Sequence, residues 1–354
     1  MSGVVPIIDV GPLGSSDAAA RQEVARQIVG ACEDIGFFVM VNHGIEQTVI
    51  DEVVESTLGF FNLPVSQKEK LISDDQATYP YGYARYGAEN LAKGKELEKS
   101  EEEIACVENS ERGNQGKETS AGDLREMFNL GPWSPESGLP PRRWPSEPAH
   151  FTSSWEVYYE DMVRLGDKLL DAFALGLGLQ EDWFRTFTNR HISVLRANNY
   201  PSLEGVEPPP GAIRCSAHTD YGTITILRPG GPGLEVRKDV DGHAWHEVPF
   251  VEGAFVVNLG DLMRRWTNDR WVSTLHRVVN PPVSHAAEWG QRLSLAFFQN
   301  LNKDALVEPI PSCVSEEYPA LYDPVIAGEF LMLKHLASMG EADPDAHLKK
   351  KKAL

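Results

Sequence analysis

The sequence predicts a mainly β fold with flanking helices, preceded by an α/β extension at its N-terminal end. Three observations carry this reading. Between residues 192 and 300, eight short apolar runs are separated by Gly, Pro, Asn and Asp. The first 70 residues instead alternate strand-like runs with stretches of helical period. Around Thr152–Leu177 lies one long amphipathic stretch.

In chain order, Val4–Val10 reads as a short strand stopped by Gly11-Pro12. Ser15, Ser16 and Asp17 offer N-caps to a helix whose Val24, Ile28, Ala31, Cys32 and Ile35 follow at helical spacing, with Gly36 as its stop. Phe37–Val41 is an apolar strand closed by Asn42-His43-Gly44, a turn in which His43 is expected to be structural. A second helix covers Thr48–Phe61. Charge dominates from Lys93 to Glu118, and Asp123–Pro148 is rich in Gly, Pro and Trp. Both read as irregular surface, with one strand around Glu103–Val107.

The long helix sets Trp155, Tyr158, Tyr159, Met162, Leu165, Leu169, Leu170 and Phe173 on its apolar side. The eight runs are Ile192–Tyr200, Ile213–His218, Thr223–Leu227, Leu234–Val236, Trp245–Val248, Ala254–Leu259, Val272–Val279 and Arg292–Asn300. Short strands punctuated in this way indicate a β-sandwich or barrel, not a parallel sheet. Ala327–Ser338 is helical in pattern, and the Lys349–Lys352 run reads as a solvated end.

Composition narrows the function. The 354 residues are 42% hydrophobic and 24% charged, which is ordinary globular usage. Lys+Arg is 33 against Asp+Glu 52, a net charge of −19, so phosphate backbones and anionic lipid are poor partners. Cys32, Cys106, Cys215 and Cys313 form no CxxC pair and suggest neither a zinc ribbon nor a disulfide framework, which fits a reducing cytoplasm. The opening residues lack the basic and apolar regions of a signal peptide, and no apolar stretch reaches membrane-span length. The expectation is a cytoplasmic monomer acting on a small molecule.

The informative segment is Ser216-Ala217-His218-Thr219-Asp220. On an extended strand, positions i and i+2 share a face, so His218 and Asp220 can meet one metal ion. His276 interrupts the apolar run Val272–Val279, where a buried imidazole needs partners. Taken alone, it would equally suit a hydrogen-bonded core histidine. Two histidines and a carboxylate leave coordination positions open, as in non-haem iron(II) oxygenases. Arg292 and Ser294 share a strand face, and a guanidinium fork beside a hydroxyl suits a carboxylate ligand, or a structural ion pair. Asn198 and Tyr200, at i and i+2 before Pro201, could also contact a bound acid.

Taken in order, Asn198-x-Tyr200-Pro201, His218-x-Asp220, His276 and Arg292-x-Ser294 resemble the iron(II)- and 2-oxoglutarate-dependent dioxygenases, within them the isopenicillin N synthase-like branch. Val5-Pro6-Ile7-Ile8-Asp9, Gly36-Phe37-Phe38-Val39, Asp123-Leu124-Arg125-Glu126 and Gly260-Asp261 extend the likeness over nearly the whole chain. The resemblance implies a double-stranded β-helix (a cupin-like jelly roll). Its parts would be an N-terminal dioxygenase region over 1–150, a long helix and jelly-roll core over 151–300, and a helical tail over 301–354, all one compact unit. It implies Fe(II) on His218, Asp220 and His276. It also implies 2-oxoglutarate on Arg292 and Ser294, with Asn198 and Tyr200 beside it, O2 as oxidant, and ascorbate as an auxiliary reductant. The implied reaction is oxidation of a small molecule, hydroxylation by default, with release of succinate and CO2.

One alternative is an oxidative cyclase or desaturase in which Arg292 and Ser294 hold the substrate's own carboxylate. A zinc hydrolase or a non-catalytic metal-binding jelly roll would leave Arg292-x-Ser294 and Asn198-x-Tyr200 unexplained. For the substrate side, the aromatic stretch Tyr79–Tyr86 offers Tyr81, Tyr83 and Arg85, with Arg85 suited to an amino acid or organic acid. Phe298, on the face of Arg292 and Ser294, offers a pocket wall. His243 and His246 read as surface residues.

Overall fold

The computed structural model describes residues 3–73, 81–89, 91, 122–133, 141–238 and 244–339. The charged stretch Lys93–Glu118 with its expected strand, His243 and the Lys349–Lys352 run lie outside them.

The chain opens as the sequence predicts. Strand β1 (Ile7–Asp9) leads to a helix over Ala18–Asp34, where the Asp17 carboxylate accepts from the Ala19 amide at 2.9 Å. That helix buries Val24, Ala25, Ile28, Ala31 and Cys32. Gly36 then takes φ +67°, and a Cβ there would lie 2.2 Å from the Val272 carbonyl oxygen, so only glycine fits. Strand β2 (Phe37–Val41) follows, then the helix Gln47–Phe61.

Two further strands follow, β3 (Gly82–Ala84) and β4 (Glu126–Leu130), and β4 corrects the expectation of irregular surface over Asp123–Pro148. Every residue of β4 is buried, Glu126 and Asn129 included, so it shows no hydrophobic alternation to read. The long helix spans Phe151–Gly176.

The remaining strands are β5 (Val194–Tyr200), β6 (Cys215–His218), β7 (Ile224–Arg228), β8 (Leu234–Lys238), β9 (Ala244–Glu247), β10 (Phe255–Leu259), β11 (His276–Val278) and β12 (Arg292–Gln299). A small pair, β13 (Leu306–Val307) and β14 (Val325–Ile326), precedes the helix Ala327–Met339. All eight expected runs hold a strand, although only His276–Val278 of the Val272–Val279 run pairs.

The strands form an eight-stranded sheet, β1-β2-β10-β7-β12-β5-β4-β3, and a four-stranded sheet, β6-β11-β8-β9. This is the double-stranded β-helix. Side chains alternate between two cores. Phe38, Met40, Leu293, Leu295 and Phe297 pack with Trp155, Tyr158, Met162 and Leu165 of the long helix. Phe37, Val39 and Val256 of the larger sheet meet Leu234, Val236 and Val278 of the smaller one. Each such burial stabilises by about 1.5–3 kcal/mol, so β12 is fixed with Arg292, Ser294, Ala296 and Phe298 turned between the sheets.

Candidate metal centre and cosubstrate pocket

Strands β6 and β11 are antiparallel neighbours, with His276 directly opposite His218. Asp220 follows β6 by two residues. Its Oδ1 lies 3.6 Å from His218 Nε2 and 3.8 Å from His276 Nε2, and among the described residues these three form the one cluster able to hold a metal ion. All three side chains are buried.

Their outer contacts decide which atoms face inward. His218 Nδ1 meets the Ser216 carbonyl at 2.8 Å, and His276 Nδ1 meets the Thr274 carbonyl at 3.1 Å. A carbonyl only accepts, so each Nδ1 carries a proton and each Nε2 is the ring atom turned toward the place a metal would take. Asp220 Oδ2 accepts from Asn258 Nδ2 at 2.7 Å and from the Thr225 hydroxyl, which leaves Oδ1 toward the histidines.

Burial opposes charge on the group as a whole. At His276 it prevails, helped by His218, and pushes the imidazole down to about 4. At His218 the Cys215 side chain and Asp220 outweigh it, and the ring goes up to about 10. Asp220 stays well below the usual carboxylate range despite burial, because both histidines and Asn258 favour its charge. Two imidazole nitrogens and one carboxylate oxygen converging on one point suit iron(II).

The residues expected from the sequence to hold the cosubstrate fall on adjacent strands in register. On β12 and β5, Arg292 pairs with Tyr200 and Ser294 with Asn198. Arg292 is 2% exposed, yet its Nη1 and Nη2 meet no acceptor among the described residues. A buried guanidinium with both terminal nitrogens unpaired is costly unless an anion arrives, so the site fits a carboxylate. The Asn198 side-chain oxygen accepts from Arg125 Nη1 at 3.1 Å, which fixes its orientation.

A cavity of about 290 Å³ joins both groups. Of the substrate-side expectations, Tyr81 and Phe298 line it. Tyr83 and Arg85 do not, which corrects the sequence reading. Tyr83 is 3% exposed and donates to Glu126, which also holds Lys68 at 2.7 Å, so its hydroxyl serves the framework. Arg85 is 62% exposed in its side chain and pairs with Glu69 at 2.6 Å. His43 is structural as expected, with Nε2 at 2.9 Å from the Gly253 carbonyl and its ring stacked on Phe255. His246 departs from the surface reading and is half-buried on β9.

Sequence reasoning missed Arg196, although the rule that found Asn198 and Tyr200 reaches it at the next inward position of β5. Its Nε donates to Asn129 at 2.7 Å and its Nη1 to Glu89 at 3.0 Å, and its guanidinium lies 5.6 Å from the Phe298 ring centroid. Glu89 also takes Arg125 Nη2 at 2.7 Å. The C-terminal helix closes the cavity with Leu331, Met332 and His335. Lys334 on that helix donates to Asp261 at 3.1 Å, and Asp261 in turn accepts from Thr219, between two of the metal-facing residues.

Comparison with known proteins agrees with this geometry. Residues 5–147 match the family described as non-haem dioxygenase in morphine synthesis N-terminal, and residues 191–301 match the 2OG-Fe(II) oxygenase superfamily. The chain belongs to the 2OG-Fe(II) oxygenases, which makes it a dioxygenase-type oxidoreductase using Fe(II), 2-oxoglutarate and O2.

Homoarginine-6-hydroxylase of Oryza sativa subsp. japonica is 33% identical, over 94% of this chain and 97% of its own length. Validamycin A dioxygenase of Streptomyces hygroscopicus subsp. limoneus is 31% identical, over 89% of this chain and 81% of its own. A full-length Neurospora crassa protein, solved with alpha-KG and 5-formyluracil, superposes with a TM-score of 0.78 at 26% identity, covering 95% of this chain and 97% of that one. Among the described residues, no helix is long and apolar enough to cross a membrane.

Proposed function

We propose that the protein hydroxylates a small molecule, with iron held by His218, Asp220 and His276 and 2-oxoglutarate anchored by Arg292 and Ser294. The observation that carries this is the convergence, in one cavity, of three metal-facing atoms and a buried guanidinium whose terminal nitrogens lack acceptors. The bound iron and cosubstrate supply the oxidation, in which one oxygen atom of O2 enters the substrate and the other enters succinate as CO2 leaves. The chain's own residues prepare this. Asn258 and Thr225 hold Asp220 with Oδ1 inward, the Ser216 and Thr274 carbonyls fix both imidazole rings, and Ser294 stands beside Arg292 to donate to the same carboxylate.

On the substrate side, we assign Arg196 to a carbonyl or carboxylate oxygen and Phe298 and Tyr81 to an apolar or flat portion, consistent with an amino acid or organic acid. Asn129 and Glu89 pin Arg196 so that its remaining edge can serve a ligand without moving. We read the chain as a single unit in three stretches, because strands from residues 1–150 and 151–300 share one sheet. We also read it as a cytoplasmic monomer of the isopenicillin N synthase-like branch. The free thiols of Cys32, Cys215 and Cys313 support the reducing compartment.

The test is an anaerobic titration with Fe(II), then 2-oxoglutarate, followed in the visible spectrum. A weak charge-transfer band that needs both additions and vanishes in Arg292→Ala is the expected result. Tight iron binding with no band would overturn the cosubstrate assignment and return Arg292 to a substrate carboxylate.

A further inference from the structure

A second buried arginine lies beside the cosubstrate residues. Arg214, one residue before β6, is 1% exposed, and its Nε and Nη1 meet no acceptor among the described residues. Its Nη2 donates to the Gly290 carbonyl at 3.0 Å, two residues before Arg292. Its guanidinium carbon is 5.9 Å from the Tyr200 ring centroid, and that of Arg292 is 5.2 Å from the same point. Two buried cations thus share one aromatic ring, and neither meets a carboxylate among the described residues. Like charges so placed repel, and an anion held by Arg292 would relieve that repulsion. Burial and the neighbouring Arg292 accordingly push Arg214 down to about 10.

We propose that Arg214 is a positioning residue for cosubstrate choice: it steadies the turn that delivers Arg292 and adds a second positive charge, so that the pocket selects 2-oxo acids carrying a remote carboxylate. This rests on the assignment of Arg292 to that carboxylate. Arg214 does not line the cavity, so it acts through Tyr200, the Gly290 turn and its field rather than by touching the ligand.

The test compares 2-oxoglutarate with 2-oxopentanoate, the same chain without the remote carboxylate. Dissociation constants are measured by anaerobic calorimetry on the Fe(II)-loaded protein, without turnover. In Arg214→Met, 2-oxoglutarate weakens by roughly tenfold, because one buried positive charge is lost, and 2-oxopentanoate stays within about twofold. Arg214→Lys keeps the charge and retains most of the preference. Equal weakening of both acids, or no change in either, overturns the proposal. If Arg214→Met fails to fold, Arg214→Gln is read in the same way. Arg292→Met separates the two assignments: an undiminished preference there overturns the placement of the carboxylate itself, whereas an undiminished preference in Arg214→Met alone removes only Arg214.

Discussion

Asn258 gives the sharpest check on how the metal-facing carboxylate is held. Its amide donates to Asp220 Oδ2 at 2.7 Å inside a buried site, and the Thr225 hydroxyl is the other donor to that oxygen. Asn258→Leu keeps the volume and removes the donor. A hydrogen bond to a charged group contributes about 1.5–3 kcal/mol, and here it fixes the carboxylate with Oδ1 toward both Nε2 atoms. Without it the carboxylate can turn, and the cost of holding it comes out of the free energy of metal binding. At about 1.4 kcal/mol per factor of ten, Fe(II) affinity should fall by roughly 10- to 100-fold. The assay is anaerobic competition for Fe(II) against a calibrated chelator, with circular dichroism of the metal-free protein as the folding control. Thr225→Val should also weaken binding, and the double variant should be non-additive, because both donors serve one oxygen. If folded Asn258→Leu binds Fe(II) within about twofold of the parent while Asp220→Ala loses it, Asp220 is not oriented in this way.

Three further outcomes follow from the same contacts. Arg85→Ala should leave Fe(II) and 2-oxoglutarate binding unchanged within about twofold, because its side chain is exposed and paired with Glu69; a larger loss in calorimetry would contradict that placement. Lys334→Met should cost about 3 kcal/mol in urea unfolding, since it strands the buried Asp261 carboxylate, and a cost below about 1 kcal/mol would refute the pairing. Glu89 supplies a pH dependence. Burial alone would raise its carboxyl, but Arg196 and Arg125 more than offset that and lower it. A carboxyl lowered by folding stabilises fully above its unfolded pKa of about 4.3 and loses that contribution as pH falls through the folded value. Glu89→Gln should therefore be less stable than the parent at pH 7, with the gap narrowing below about pH 4; a gap independent of pH would exclude the ion pairs as its source.

Much of the site is legible because a strand imposes a period of two. That rule places Arg292 with Ser294 and Asn198 with Tyr200, and the register β5–β12 sets the two pairs opposite one another, whereas Asp220 joins His218 from just beyond the end of β6. The substrate side is less legible for a physical reason. Tyr81, Tyr83 and Arg85 lie together in sequence, yet only Tyr81 lines the cavity. What separates them is Glu126 drawing the Tyr83 hydroxyl inward and Glu69 holding Arg85 at the surface, contacts 43 and 16 residues apart along the chain. Strand β4 was hidden likewise, because its buried Glu126 and Asn129 find partners in Lys68, Asn199 and Arg196 on other elements.

The sequence by itself indicated the strands after residue 190 and the shared strand faces of Arg292 with Ser294 and Asn198 with Tyr200, and its ordered motifs, through their family resemblance, indicated the class of chemistry. The strand faces are local, since backbone geometry and side-chain type suffice to express them. Only the tertiary structure decided the contents of the pocket beyond that: Arg196 pinned by Glu89 and Asn129, Arg214 beside Tyr200, and the C-terminal helix held to Asp261. Each of these is a balance between desolvating a charge and meeting its partner, and the partner's distance in space is fixed by the fold, not by its distance along the chain.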